Sequence, residues 1–214
     1  MEGFVLEPIL SNKLAGAAVV HLPITGIISG GDVPYLFKDL FNGSGNFSGH
    51  TPDYDSTSDG WNGSPSTWDL GSGVVFANGS SGDHTYTDQS VADVIITLTN
   101  DQYISDDSEV NMIANRQSAS AQWEAFAYTI GDYGIDEYDG TWTTRASDST
   151  TGVVNGDTCI LTTSGDLIRF EVPDQSVNIS YNPGTRPYKT ATIHGLADFG
   201  DLFEIRDFLI EDNS

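Results

Sequence analysis

Cysteine is nearly missing from this sequence: Cys159 is the only one in 214 residues. A disulfide within the chain is therefore excluded, and with it the class of small domains held together by disulfides. Cys159 lies in an apolar Thr-Cys-Ile-Leu run, which is typical of a buried core thiol. A catalytic thiol would need a base beside it, and the surrounding sequence indicates none.

Basic residues are also scarce, with 8 Lys and Arg against 31 Asp and Glu and a formal net charge of −23. They are scattered along the chain, whereas binding to nucleic acid requires clustered positive charge. We therefore expect no nucleic-acid partner and no anionic membrane partner. The acidic excess favours solubility in salty surroundings, and the alternatives are binding of divalent cations or docking on a basic protein.

Long hydrophobic runs are missing as well. The apolar run at residues 14–24 is interrupted by His21 and Pro23 and is too short to span a bilayer. No basic segment precedes it, which argues against a signal peptide. Beyond residue 38 no segment repeats apolar residues with the 3.6-residue period of a helix, so we expect an all-β domain.

The most regular pattern in the chain lies at 165–182. Apolar and polar residues alternate on both sides of a short Pro173-Asp174-Gln175 break, as they do in an antiparallel hairpin with one face on a core. The apolar members are Ile168, Phe170, Val172, Val177, Ile179 and Tyr181. A second layer must cover this apolar face, so the sequence predicts a two-sheet antiparallel β-sandwich, or jelly roll.

Further strands are predicted at the spacing of a sandwich, and the segment at 131–142 is interpreted as a polar, aromatic excursion between them. The strands lie at 74–76, 93–99, 110–116, 122–129, 158–163, 190–196 and 203–210. In the last one the apolar parity changes near Arg206 and Asp207, which indicates a β-bulge. Trp123 lies within a strand and is predicted to belong to the core.

Residues 1–37 are predicted to be an extended N-terminal docking arm, and residues 38–214 the β-sandwich. The arm contains many apolar residues but no sustained strand or helix period. Because such residues cannot bury one another, they must pack on the sandwich itself, on a sister subunit or on a larger assembly. We therefore expect a homo-oligomer or a docked subunit.

Several segments resemble the concanavalin A-like lectin/glucanase jelly roll, in the laminin-G-like form frequent in phage virion proteins and bacterial surface proteins. The resemblance covers about residues 38–212, and its most specific pieces are His50-Thr51-Pro52-Asp53 and the GDLIR hairpin at 165–169. Residues 14–31 resemble linkers that precede such domains in phage structural proteins. The resemblance implies two packed sheets and, in many members, calcium or glycan at the loop rim.

An enzyme of this fold would usually be a glycoside hydrolase with two carboxylates on one strand, in a Glu-x-Asp-x-x-Glu pattern. The nearest match begins Glu137-Tyr138-Asp139, but Trp142 stands where the second essential carboxylate is needed. The sequence also lacks a Gly-x-Ser-x-Gly nucleophile turn. We expect no enzymatic activity.

A calcium site is predicted at Asp53, Asp55 and Asp59. The segment at 55–60, Asp-Ser-Thr-Ser-Asp-Gly, places oxygen ligands at alternate positions before a glycine turn, as loops that bind hard cations do. The alternative is a solvated acidic loop held by turns.

Four aromatic residues lie in or beside polar, glycine-rich segments and are candidate platforms for a glycan: Trp61, Trp68, Tyr86 and Trp142. The alternative is that these rings plug the ends of the sandwich.

These observations predict a non-enzymatic structural protein of a phage virion, either a capsid decoration or a tail or fibre component. Residues 1–37 would attach it to capsid or tail proteins of the same particle. The alternative is a carbohydrate-binding adhesion domain, assisted by calcium, that acts on cell-surface glycan outside the cell.

Overall fold

A computed structural model of the protein describes residues 35–77, 83–103, 109–198 and 203–214. The prediction of a docking arm falls, for residues 1–34, outside the described residues. No helix in the described ranges is long and apolar enough to cross a membrane.

The described residues form seventeen strands and two short 3₁₀ helices. The strands are β1 (Tyr35–Asp39), β2 (Ser44–Asn46), β3 (Tyr54–Asp55), β4 (Asn62–Gly63), β5 (Trp68–Gly71), β6 (Val75–Ala77), β7 (Asp83–Asp88), β8 (Val94–Tyr103), β9 (Glu109–Ser118), β10 (Ala121–Tyr128), β11 (Asp132–Tyr138), β12 (Trp142–Ser149), β13 (Thr158–Ser164), β14 (Leu167–Val172), β15 (Val177–Tyr181), β16 (Ile193–Asp198) and β17 (Phe203–Asp212). The 3₁₀ helices are η1 (Pro65–Thr67) and η2 (Pro173–Gln175).

Two antiparallel sheets contain these strands. The first sheet has the order β15-β14-β13-β8-β17-β6-β5-β2, with β1 paired to β17 and β3 paired to β1. The second sheet has the order β12-β11-β10-β9-β16-β7-β4. The predicted all-β sandwich is therefore confirmed.

The core lies between the sheets because each strand turns alternate side chains inward. Val94, Ile96 and Leu98 of β8 and Trp123 of β10 are fully buried. The predicted hairpin is confirmed as β14, η2 and β15, and Cys159 is a buried core thiol as expected. The register of β17 against β8 shifts on both sides of Ile205, which confirms the bulge predicted beside it.

Two sequence-based boundaries need correction. Tyr35–Phe37, assigned to the arm, belong to strand β1, where the fully buried Phe37 ring meets Trp61 edge-on at 4.9 Å. The excursion at 131–142 is in fact strand β11 and the start of β12. Its alternation is hidden because the inward positions Tyr133 and Ile135 are separated by a glycine rather than by a clearly polar residue.

Candidate functional site

The outer face of the second sheet carries a depression of about 250 Å³ that combines carboxyl, amide and aromatic side chains. We call it the acidic–aromatic depression. It is lined by Glu109, Asn111, Glu124, Phe126, Tyr128, Asp136 and Trp142.

Strand register brings these residues to one face. On β10, Glu124, Phe126 and Tyr128 lie two residues apart, so they point away from the core, to which Trp123 belongs. Across the sheet, Glu124 is paired with Asp136 of β11, whereas Phe126 and Tyr128 are paired with residues 111 and 109 of β9. Four neighbouring strands, β9 to β12, thus contribute to one surface.

The carboxyl groups of this depression lie in a poorly solvated environment. Burial raises the pKa of Glu124 well above its usual value. A hydrogen bond from Gln122 Nε2 to Glu124 Oε2 at 3.2 Å acts in the opposite direction and lowers this pKa in part. The negative charges of Glu109 and Asp136 raise this pKa further. Burial also raises the pKa of Asp136, although a hydrogen bond with the Thr144 side chain opposes the change. Burial therefore favours the protonated form of both Glu124 and Asp136.

Two buried polar atoms at the depression have no hydrogen-bond partner among the described residues: Asn111 Nδ2 and Asp136 Oδ1. Asn111 as a whole is only 4% exposed. Buried polar groups normally find a partner, because leaving one unpaired costs about 1–3 kcal/mol. A bound molecule that offers an acceptor to Asn111 and a donor to Asp136 would remove this cost.

Aromatic rings surround the polar groups. Trp142 is 40% exposed and stacks on Tyr138, with ring centroids 4.4 Å apart and planes inclined by 24°. Phe126 and Tyr128 meet edge to face at 5.4 Å. These two rings also line a second, open depression of about 710 Å³ that continues to the exposed Ile130. The aromatic surface therefore continues from one depression into the other.

Arg116 contributes a positive charge next to the depression, although it is not one of the lining residues. The Arg116 guanidinium donates through Nη1 to Gln122 Oε1, and Gln122 in turn donates to Glu124. The same nitrogen contacts His84 Nδ1 at 2.7 Å, and the guanidinium lies over the Tyr86 ring at 4.8 Å. Arg116 thereby orients the Gln122 amide toward Glu124.

The structure separates the four aromatic residues predicted to bind glycan, and only Trp142 lines the acidic–aromatic depression. Tyr86 is half-buried beneath Arg116. Trp61 packs against Phe37, and its Nε1 donates to Asp39 Oδ2 at 2.7 Å.

The assignment of Trp68 to a glycan platform is corrected. Trp68 is only 2% exposed and belongs to the core cluster, so its ring cannot meet a sugar. Its turn-like sequence context did not reveal this burial, because strand β5 places the ring between the sheets.

The three aspartates of the predicted calcium loop line one open depression of about 470 Å³. Asp53 accepts hydrogen bonds from Leu40 N and the Asn42 amide, and Asp59 accepts from the Asn62 amide. Among the described residues, no group of three or more His, Cys, Asp or Glu side chains is arranged to hold a metal ion. Calcium binding at Asp53, Asp55 and Asp59 stays a prediction.

Asp55 organises this loop. It accepts hydrogen bonds from Gly60 N at 2.7 Å, Thr57 N at 3.0 Å and Gln89 Nε2 at 3.2 Å. Burial alone would raise its pKa, but these hydrogen bonds together lower it. The Asp55 carboxylate therefore holds the loop closed in the manner of a turn-forming aspartate.

The first carboxylate of the near-match to a glycosidase motif is held in an ion pair. Glu137 is buried on the opposite side of β11 from Asp136 and forms an ion pair with Arg145, with 2.7 Å between Glu137 Oε2 and Arg145 Nη2. The carboxyls of the depression instead come from three different strands. A pattern of spaced carboxylates on one strand therefore does not detect them. The alternation of polar residues in β10 does indicate that Glu124 faces away from the core.

No family model matches the chain, and no curated protein matches it in sequence. Solved structures do resemble it. The carbohydrate-binding module CBM66 from Bacillus subtilis superposes with a TM-score of 0.57 at 12% identity, covering 71% of this chain and 95% of that one. The family GH16 endo-β-1,3(4)-glucanase SCLam gives a TM-score of 0.54 at 10% identity, covering 84% and 91%.

A third similar structure comes from a phage. The CBM2 module of the evolved Dit protein of Lactobacillus casei BL23 phage J-1 gives a TM-score of 0.50 at 9% identity, covering 83% of this chain and 95% of that one. Identities this low establish the fold alone. The chain shares with these structures the fold of a two-sheet antiparallel β-sandwich.

Proposed function

We propose that this domain binds carbohydrate on the outer face of its second sheet, at the acidic–aromatic depression. The observation that carries the proposal is that one depression contains the exposed Trp142 ring and the buried Asn111 Nδ2, which has no hydrogen-bond partner among the described residues. A ligand pocket typically combines aromatic surface with a few placed polar groups, and a sugar offers both an apolar ring face and hydroxyl groups. Two of the similar structures are named as CBM modules, CBM66 and CBM2, the first of them as a carbohydrate-binding module, and this supports the proposed carbohydrate binding.

We propose further that binding occurs without cleavage. Retaining glycosidases place a nucleophile and an acid/base about 5–5.5 Å apart across the scissile bond. Gln122 and Phe126 occupy the outward positions of β10 on either side of Glu124, so this strand does not carry the two carboxylates of the Glu-x-Asp-x-x-Glu pattern on its outward face. Because SCLam, a structure of similar fold, is a glucanase, cleavage must be tested. Release of reducing sugar by the wild-type protein, if it is abolished in Glu124→Gln, would overturn this part of the proposal.

A glycan array followed by calorimetry tests the binding proposal. Trp142→Ala removes the platform and is expected to weaken binding of any array-positive glycan by about tenfold or more, equivalent to about 1.4 kcal/mol. Trp142→Phe is the matched control, because it keeps an aromatic face and should retain most of the affinity. Unchanged affinity in Trp142→Ala, or an array without a positive glycan, would refute the proposal.

A second candidate function is a structural role in a phage virion, with the glycan-binding face turned outward. The similarity to a phage Dit module favours it. In this proposal residues 1–34, which precede strand β1, attach the domain to capsid or tail proteins, and the protein is located in the virion. Detection of the protein in purified particles by mass spectrometry, and its loss after deletion of the arm, would support this role.

We retain calcium assistance as a proposal for the loop containing Asp53, Asp55 and Asp59. An ion that binds only the folded protein raises its melting temperature as its concentration rises above Kd. Millimolar calcium should then raise the melting temperature relative to a chelator, and Asp59→Asn should remove the difference. Equal melting temperatures in calcium and chelator would exclude the site.

A further inference from the structure

Glu124 and Asp136 occupy directly opposite positions on strands β10 and β11. Side chains in such pairs have Cβ atoms about 4.5–5.5 Å apart, and like charges there destabilise a sheet. Glu109 adds a third carboxyl from β9. None of the described residues that line the depression is basic. Arg116 reaches Glu124 only through Gln122, so the depression concentrates carboxyl groups that no cation of its own lining pairs with.

The unpaired atoms give independent evidence for a ligand. Asn111 Nδ2 is a buried donor without a partner in the described part of the chain, and Asp136 Oδ1 is a buried acceptor in the same condition. A complementary ligand must therefore present an acceptor to Asn111 on β9 and a strong donor to Asp136 on β11, with β10 between them. An amino sugar meets both requirements, because its ammonium supplies three donors and a positive charge and its hydroxyl groups supply acceptors.

The aromatic lining favours the same chemistry. Phe126, Tyr128 and Trp142 border the carboxyls, and the faces of aromatic rings attract cations by about 0.5–2 kcal/mol. At longer range, the formal net charge of −23 repels polymers rich in carboxylate or phosphate and attracts cationic ones.

Building on the carbohydrate-binding function proposed above, we propose that the acidic–aromatic depression selects glycans with a free ammonium group, that is, unacetylated amino sugars. The ammonium binds between Asp136 and Glu124, and a hydroxyl oxygen of the sugar accepts a hydrogen bond from Asn111. The sugar ring packs on Trp142. An ammonium favours the charged form of these carboxyls and is stabilised by it, whereas a neutral sugar is not.

The test compares three oligosaccharides of equal length and linkage, made of glucosamine, N-acetylglucosamine or glucose. Calorimetry is run with the full chain in the presence of a chelator, at low and at high salt. We expect the glucosamine oligomer to bind at least about tenfold more tightly than the other two, because hydrogen bonds between charged groups are stronger than those between neutral ones. Salt should weaken the glucosamine oligomer selectively.

The outcomes separate this inference from the function it depends on. Equal affinity for the three oligomers, or no binding of the glucosamine oligomer, overturns the ammonium selectivity. Binding of any neutral glycan on the array would still support the carbohydrate-binding function in that case.

A pair of isosteric variants locates the selectivity. Asp136→Asn removes the charge at the depression and should lower glucosamine-oligomer affinity by about tenfold. Asp174→Asn removes the same charge from the exposed η2 helix beside the first sheet and should leave the affinity unchanged. Equal losses in both variants would indicate a net-charge effect and refute the assigned position, and thermal melting confirms that each variant is folded.

Discussion

The ring of Phe126 on β10 lies directly over Gly134 of β11, its partner in the strand register. A Cβ atom at residue 134 would overlap three carbon atoms of this ring. Glycine therefore lets the ring lie flat across β11, where it forms part of the floor shared by both depressions of the outer face.

Gly134→Ala should consequently disturb both stability and binding. The added methyl group must push the Phe126 ring away from β11, and overpacking of this kind typically costs about 1–3 kcal/mol. Glycine is itself unfavourable in a strand by about 0.5–1 kcal/mol, so we expect a net loss in unfolding free energy of about 1–2 kcal/mol. Urea unfolding measures this loss, and calorimetry should show weaker glycan binding.

The double variant Gly134→Ala with Phe126→Leu is the control, since a smaller side chain makes room for the methyl group. It should recover part of the lost stability without recovering glycan affinity. A single Gly134→Ala variant that matches the wild type in both measurements would contradict the proposed floor of the site.

Local patterning made the fold predictable. The β14–β15 hairpin could be identified because strict alternation, a proline break and a buried face all occur within eighteen adjacent residues. The parity change beside Arg206 likewise revealed a bulge that the pairing of β17 confirms. Strand β11 escaped prediction because its outward positions hold Gly134 and Asp136, which resemble a turn when read without their neighbours.

The site was less predictable because it is assembled across strands. Glu124 and Asp136 are neighbours only through the β10–β11 register, and each alone resembles an ordinary surface acid. Trp68 and Trp142 occur in similar polar, turn-rich sequence, yet one is buried between the sheets and the other is exposed. Tertiary packing decides this difference in exposure, and the local sequence around each tryptophan does not reveal it.

The buried carboxyl of Asp39 is expected to be important for stability. Its Oδ2 accepts from Trp61 Nε1 at 2.7 Å, and its Oδ1 accepts from Phe41 N at 2.8 Å and lies 3.0 Å from His50 Nε2. Asp39→Asn would place an amide N–H group opposite one of these donors, so that hydrogen bond would be lost. We expect the unfolding free energy to fall by about 1–3 kcal/mol, measured by urea unfolding followed by tryptophan fluorescence.

Asp174→Asn again supplies a charge-matched control, because Asp174 is exposed in η2. Its unfolding free energy should change by less than about 0.5 kcal/mol. An Asp39→Asn variant as stable as this control would show that the Asp39 network does not stabilise the fold.

His194 should make the protein less stable in mild acid. The ring is fully buried, its Nε2 lies 2.9 Å from Val91 O, and burial lowers its pKa from 6.5 to about 4. Between these two pH values the unfolded chain binds a proton that the folded protein does not, so stability falls as the pH drops from 6.5 toward 4. The loss attributable to this group approaches about 3 kcal/mol at the acid end.

His194→Gln tests this pH dependence, since glutamine retains a donor and an acceptor but does not titrate. Urea unfolding of both proteins at pH 7 and pH 4.5 isolates the contribution of His194, because the remaining groups titrate in both. The variant should lose less unfolding free energy than the wild type over this interval. Parallel losses would mean that the buried imidazole does not control the acid response.

The N-terminal arm can now be tested at a sharper boundary, because strand β1 begins at Tyr35 and inserts the buried Phe37 into the core. Deletion of residues 1–34 should leave a cooperatively folding sandwich with near-native circular dichroism. Deletion of residues 1–39 removes β1 as well, and we expect it to lose several kcal/mol, since truncation of one buried phenylalanine alone costs about 3–5 kcal/mol. Sedimentation analysis of the shorter deletion should show loss of self-association or of attachment to the parent assembly. If the 1–34 deletion unfolds, the arm belongs to the core; if it still assembles, the docking surface lies on the sandwich.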